Sequence, residues 1–149
     1  MSLTLTTLGA YPKPSGLPVT DWFGGESTMG PDATLAMNEL GDRLDQASVV
    51  AQLDAATLDA VADQIACGVN VPTDGEIRRE NYLHYHCRHL NGIDFSRLTE
   101  RLLRNGSWKG KVPTFVGPIS ARDHFLRRDH EVASATVEVP VKITVPGPI

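Results

Sequence analysis

The pattern of apolar and polar residues predicts short strands separated by helices. Residues 3–8 alternate leucine with threonine, as a strand with one buried face does, and the run stops at Gly9. Val69 and Val71 flank Asn70 in a second β-branched run. The predicted strands lie near residues 3–8, 69–73, 112–116 and 141–145.

Helical patterns fill much of the chain between these strands. One helix is predicted from Asp32 to Asp45, although Gly41 weakens it. A stronger one carries apolar residues at helical spacing, with Asp54 as its predicted N-cap and Gly68 as its end. Two further helices are predicted over 77–90 and 121–137. No element is predicted in the polar stretch that ends at Lys111. The alternating order predicts an α/β fold.

Two carboxylates follow the second predicted strand directly. Asp74 and Glu76 flank Gly75, and Arg78 and Arg79 come next. In folds that alternate strands and helices, chemistry sits at the carboxyl ends of the strands, so both acids are candidate site residues. A purely structural interpretation is also open, with Asp74 capping the next helix and Glu76 in its first turn.

Composition narrows the class of protein. With 14 Lys and Arg against 18 Asp and Glu, the net charge is −4, and no concentrated basic face for nucleic acid is visible. Cys67 and Cys87 lack CxxC spacing, which favours a reducing cytoplasm over a disulfide scaffold. No signal peptide is visible, and no apolar run approaches the ~20 residues that span a bilayer. A cytoplasmic protein without membrane contact is expected.

The last predicted strand raises the question of completeness. It runs into Pro146-Gly147-Pro148 with no helix after it, which would leave apolar surface uncovered in a parallel α/β design. The sequence therefore predicts that residues 1–149 are the first part of a larger α/β fold. An open strand edge of this kind is also a template for self-association.

Five motifs in order resemble the cobalamin-independent methionine synthases, in particular the short members that have one barrel. The first resembles that family's Thr-Thr-x-Gly-Ser opening loop and the second its Asp-Gly-Glu turn. The third resembles its Gly-Ile/Val-Asp-Phe stretch, and the last two its hairpin and its third strand. These motifs are residues 6–14, 73–79, 91–95, 112–119 and 141–149.

The resemblance implies a fold and an activity. The family fold is a TIM (β/α)8 barrel of about 250 residues, so this chain would be the N-terminal part of a partial barrel, through its third strand. The implied function is part of a zinc-dependent methyltransferase that methylates the thiol of homocysteine in methionine biosynthesis. The zinc ion makes the thiol ionise near neutral pH. The family's zinc ligands come from later strands, and none has a counterpart in this chain.

The methyl donor and the thiol stay open. The resemblance allows a folate or a corrinoid donor, and it also allows a related alkyl transferase that acts on another thiol. In two further interpretations, this chain alone does not catalyse a reaction. It is either a truncated, non-catalytic fragment or a half-barrel that pairs with itself or with a second half. Uroporphyrinogen decarboxylases share the barrel without the Asp-Gly-Glu context, so decarboxylation is a more distant possibility.

The resemblance assigns roles to three residues. Glu76 matches the carboxylate that accepts hydrogen bonds from the ammonium group of the substrate amino acid. Gly9 and Ala10 match the Gly-Ser pair of the amino-acid pocket. Because alanine replaces the serine, the hydroxyl contact is lost and only the backbone N–H remains. Asp74 is expected to position the turn or to contact Arg78 instead of the substrate.

Several further polar or aromatic side chains have structural interpretations. Along His84–His89, the His and Cys pairs at helical spacing point apart, which favours structural roles over a metal site. Tyr82 and Tyr85 are expected to pack against the barrel. Trp22, in the long first loop, either shapes a pocket or pins that loop to the scaffold.

Overall fold

The computed structural model describes residues 3–21, 23, 31–103, 105–106 and 108–147. Trp22, most of the loop before Pro31 and the last two residues lie outside this range, so the predictions made for them stay predictions. In the described part, no helix is long and apolar enough to span a membrane.

Three extended segments, residues 3–8, 69–73 and 141–145, run parallel to one another. Thr6 bridges Val71, and Thr73 bridges Lys142. The backbone N–H of Val71 donates to the Leu5 carbonyl at 3.1 Å, and that of Lys142 to the Pro72 carbonyl at 2.9 Å. The chain therefore places the three predicted strand segments side by side in sequence order, although only isolated bridges join them.

Within the described residues, two α-helices and a 3₁₀ helix lie between the first and second of these segments along the chain. α1 spans Pro31–Leu40 and is followed by a 3₁₀ helix, Gly41–Asp45, in which Gly41 has a φ of 43°. α2 spans Ala47–Ala66 and ends before Gly68, whose φ is 86°, as predicted. The predicted N-cap was wrong, because Asp54 lies a third of the way along α2 and pairs with Arg78 instead.

The core lies between α2, α1 and the loop after the first segment. Its buried members are the apolar residues Val19, Met37, Leu53, Ala56, Ala60 and Ile77. Burying each of the larger side chains contributes about 1.5–3 kcal/mol to stability. Since Ile77 follows Glu76 directly, packing of this one side chain also fixes the turn that carries the two candidate acids.

The predicted helix over residues 77–90 is mostly absent. The backbone turns through residues 75–78, and only α3, His84–Arg88, is helical. Tertiary interactions override the local pattern, because residues 72–80 are buried without interruption and the charged groups among them have their own partners. The predicted helix 121–137 is present as the shorter α4, Phe125–Ser134.

The predicted strand near 112–116 is present, as part of a long antiparallel hairpin that also includes much of the polar stretch for which no element was predicted. β1 spans Leu90–Leu103 and β2 spans Trp108–Ala121, and they pair with each other in a two-stranded sheet. At the tip, Asn105 and Gly106 have φ values of 55° and 86°, as a type I′ turn requires. The motif resemblance had indicated a hairpin at residues 112–119, but the Asn-Gly pair that marks its turn was not used, so its first strand was not predicted.

Candidate functional site

The backbone turn from Thr73 to Glu76 determines the orientation of the Asp74 and Glu76 side chains. Gly75 and Glu76 have φ values of 67° and 53°, and Glu76 is one of two described non-glycine residues in the left-handed region. The Glu76 N–H donates to Asp74 Oδ1 at 3.2 Å, and the Gly75 N–H to Thr73 Oγ1 at 3.2 Å. A left-handed glutamate costs on the order of 1–3 kcal/mol, and such strain concentrates at functional sites.

Gln64 anchors the segment that carries this turn. It is 1% exposed, and its Nε2 donates to the Thr73 carbonyl at 3.0 Å, while its Oε1 accepts from the Thr73 N–H at 3.0 Å. The same Oε1 accepts from the Thr7 hydroxyl at 2.7 Å. One side chain of α2 therefore joins the first and second parallel segments just below the site.

The carboxylate of Glu76 is held from three sides. The Thr144 hydroxyl donates to Oε1 at 2.5 Å, and Arg79 Nη1 lies 3.4 Å from the same oxygen. On the third side stands Gly9, where a Cβ would fall closer to Oε1 than the 3.0 Å that real Cβ contacts respect. Glu76 is 7% exposed, so its orientation is fixed by these contacts and not by solvent.

Arg79 forms ion pairs with both Asp74 and Glu76. It is 1% exposed, and its Nη2 lies 3.7 Å from Asp74 Oδ2. Burial nevertheless raises the pKa of Asp74 to about 6, and the nearby Arg79 guanidinium only partly offsets this. Burial likewise lowers the pKa of Lys13 to about 8, against the attraction of Asp21 and Glu76. The site is thus a dehydrated cluster of charges of both signs.

A cleft of about 280 Å³ opens beside Glu76, at the carboxyl ends of all three parallel segments. Its lining combines one acid and one guanidinium with mainly apolar groups. The lining residues are Leu8, Gly9, Ala10, Glu76, Arg79, Tyr82, Thr144, Val145 and Pro146. The cleft is large enough for a small amino acid, with charge at one wall and apolar surface at the other.

The structure brings the three predicted site residues together. Glu76, Gly9 and Ala10 all line this cleft. Asp74 positions the turn through the Glu76 N–H, as predicted, but its ion-pair partner is Arg79 and not Arg78. The capping interpretation fails, because no helix begins at this turn.

Arg79 and Thr144 are site residues that the sequence interpretation did not single out. Arg79 was seen only as one of two neighbouring arginines, and nothing in the sequence shows which of them faces the acids. Thr144 lies 68 residues from Glu76, so their hydrogen bond depends on the parallel pairing.

Side chains of the histidine-rich segment contact neighbouring polar and aromatic groups. His84 Nδ1 contacts the Thr34 hydroxyl at 2.7 Å, and the ring of His89 stacks on Phe125 at 3.9 Å. Tyr85 is 8% exposed and packs inside as predicted, whereas Tyr82 is 45% exposed and lines the cleft. Nowhere in the described ranges do three or more His, Cys, Asp or Glu residues converge as a metal site would need.

These features define an α/β protein with a cleft at the carboxyl ends of neighbouring parallel segments, lined by one acid, one guanidinium group and mainly apolar side chains. The chain is similar in sequence to methionine synthases. The chain is 24% identical over 147 residues to the methionine synthase of Sulfolobus acidocaldarius, a match that covers 98% of the chain and 38% of that protein. It is 31% identical over 107 residues to the 5-methyltetrahydropteroyltriglutamate–homocysteine methyltransferase of Trichodesmium erythraeum, covering 71% of the chain and 14% of that enzyme.

A solved structure agrees with these sequence matches. The B12-independent methionine synthase from Shewanella sp. W3-18-1, in complex with selenomethionine, superposes with a TM-score of 0.71 at 24% identity. The superposition covers 97% of this chain and 38% of that one. No family model matches the chain. The resemblance to cobalamin-independent methionine synthases is confirmed, and the chain spans less than half the length of these relatives.

Proposed function

We propose that this chain forms the amino-acid-binding part of a methyltransferase that methylates the thiol of homocysteine. Glu76 is the residue that receives the ammonium group of the amino acid. The supporting observation is the orientation of its carboxylate: Oε1 is held by Thr144 and Arg79, and no described residue hydrogen-bonds to Oε2. A charge-assisted hydrogen bond from an ammonium group to that oxygen is about twice as strong as a neutral one.

The remaining walls of the cleft suit the rest of the amino acid. Within the described part of the chain, no hydrogen bond uses the backbone N–H of Gly9 or Ala10 as its donor, so these groups can serve a carboxylate in place of the hydroxyl that alanine lacks. Val145, Pro146 and Leu8 offer apolar surface to a thioether or thiol chain. The selenomethionine bound by the Shewanella enzyme is an amino acid of this kind, which supports the same ligand class here.

The full reaction needs groups that these residues do not supply. The described residues do not fit the zinc site that the family implies, so we place the zinc ligands in the part of the relatives' length that this chain does not span. We propose likewise that the parallel segments are the first three strands of a (β/α)8 barrel completed by that part. The methyl donor, whether folate or corrinoid, would be bound there too.

A chimera tests the proposed function. This chain would replace the matching part of the Sulfolobus acidocaldarius methionine synthase, and methionine formation from homocysteine would be measured. We expect activity in the chimera, a rise of at least about tenfold in KM for homocysteine with Glu76→Gln, and no change with exposed Glu131→Gln. An active chimera that is indifferent to Glu76→Gln would contradict the role of Glu76. A folded but inactive chimera would favour the non-catalytic fragment.

A further inference from the structure

Thr144 occupies a fixed place beside the cleft. Two residues before it, the Lys142 N–H bonds to the Pro72 carbonyl, and Lys142 Nζ donates to the Thr7 carbonyl at 2.6 Å. These bonds tie the third parallel segment to the other two. The position of the Thr144 hydroxyl therefore follows from backbone pairing and not from a mobile loop.

The direction of each hydrogen bond at Thr144 is determined by its partners. Arg79 Nη1 donates to Thr144 Oγ1 at 3.3 Å, and a guanidinium group can only donate. The single hydroxyl proton of Thr144 is therefore free to go to Glu76 Oε1, 2.5 Å away. This makes a directed chain from Arg79 through Thr144 to one particular oxygen of Glu76.

We propose that Thr144 is a positioning residue for Glu76: it occupies Oε1 and so leaves Oε2 as the oxygen that receives a primary ammonium group. This inference rests on the proposed function. Without the hydroxyl, Oε1 would retain only the longer contact with Arg79, and the carboxylate could rotate toward that guanidinium. The site would then lose its preference for ligands that carry an ammonium group.

Two variants of the 149-residue chain separate positioning from packing. Thr144→Val keeps the shape and removes the hydroxyl, whereas Thr144→Ser keeps the hydroxyl and removes a methyl group. Thr4→Val, at an exposed position of the first segment, is the matched control. The probes are L-methionine and 4-(methylthio)butyrate, which has the same chain without the ammonium group.

The first measurement is ligand affinity by NMR titration. We expect Thr144→Val to weaken L-methionine binding about tenfold and to leave 4-(methylthio)butyrate within about twofold, while Thr144→Ser and Thr4→Val bind like the wild type. An equal loss for both ligands in Thr144→Val would overturn the inference, because it would show a general structural role.

The second measurement needs no ligand, so it distinguishes this inference from the proposed function. The ¹³C resonance of the Glu76 carboxyl carbon should move in Thr144→Val and stay near its wild-type position in Thr144→Ser. An unmoved resonance in Thr144→Val would show that Thr144 does not position Glu76. Failure of the wild-type chain to bind L-methionine would instead overturn the proposed function, while the resonance would still decide the role of Thr144.

Discussion

Glu76 Oε1 occupies the space that a Cβ at position 9 would need, so any residue other than Gly9 would have to displace the Glu76 carboxylate. A Cβ there would come within 3.0 Å of Oε1, and it would also lie 3.1 Å from Thr144 Oγ1. Gly9 and Glu76 come from different parallel segments. The absence of one side chain therefore lets the candidate acid reach across to the first segment.

Replacing Gly9 tests this close approach. Gly9→Ala should push the Glu76 carboxylate away from Thr144 and weaken L-methionine binding by about tenfold or more, because the oriented charge is displaced. Isothermal titration calorimetry would measure the affinity. Gly117→Ala is the matched control, since a Cβ at Gly117 meets nothing within 4 Å. Wild-type affinity in a folded Gly9→Ala variant would refute the arrangement.

Gln64 should be among the most costly side chains of α2 to replace. Gln64→Leu leaves the Thr73 N–H and carbonyl without their buried partner, so we expect a loss of about 2–4 kcal/mol in the free energy of unfolding. Urea denaturation followed by circular dichroism would measure it. Gln52→Leu, exposed on the same helix, should change stability by less than about 0.5 kcal/mol. Equal effects of both changes would show that Gln64 does not anchor the site segment.

Ionisation of the Asp74 carboxyl group should lower the free energy of unfolding as the pH rises. Its pKa is about 6 in the folded chain against an ordinary value of 3.8, so between these values the native state holds a proton that the unfolded state releases. Stability from this group is therefore greatest below about pH 4 and is lost as the pH passes about 6. The free energy of unfolding lost through this group is about 3 kcal/mol at most.

Comparison with Asp74→Asn isolates the effect of Asp74. Burial also raises the pKa of Asp129, but Asp129 is present in both proteins, so its contribution cancels in the difference. The free energy of unfolding of the wild type minus that of Asp74→Asn should decrease between about pH 4 and about pH 7. Asp59→Asn, at an exposed position of α2, should show a much smaller change. A flat difference for Asp74→Asn would mean that Asp74 is not dehydrated.

The sequence predicted what depends on local pattern. The 3–8, 69–73 and 141–145 segments, α1, α2 and the Gly68 helix end follow from periodicity and turn residues, and all are present. The prediction for residues 77–90 was wrong because tertiary contacts decide this region, whereas the hairpin after it has a local signal that the prediction did not use. Buried ion pairs replace the predicted helix, and the hairpin is set by its Asn105-Gly106 turn.

The candidate site was predictable only in part for the same reason. Glu76, Gly9 and Ala10 were identified through motif resemblance, and the fold brings them to one cleft. Arg79 is only three residues from Glu76, but the sequence does not show which of the two neighbouring arginines faces the acid, and Thr144 acts on Glu76 through a contact that no local pattern encodes. The contribution of Thr144 emerges only when the second and third segments pair, which brings its hydroxyl to Glu76.

Recognition of an ammonium group by Glu76 can be measured on the chain itself with a two-by-two cycle of protein variants and ligands. The affinities of the wild type and of Glu76→Gln would be measured for L-methionine and for 4-(methylthio)butyrate. We expect the wild type to prefer L-methionine by about tenfold or more and Glu76→Gln to bind both ligands about equally. A preference for L-methionine that survives in Glu76→Gln would contradict the account.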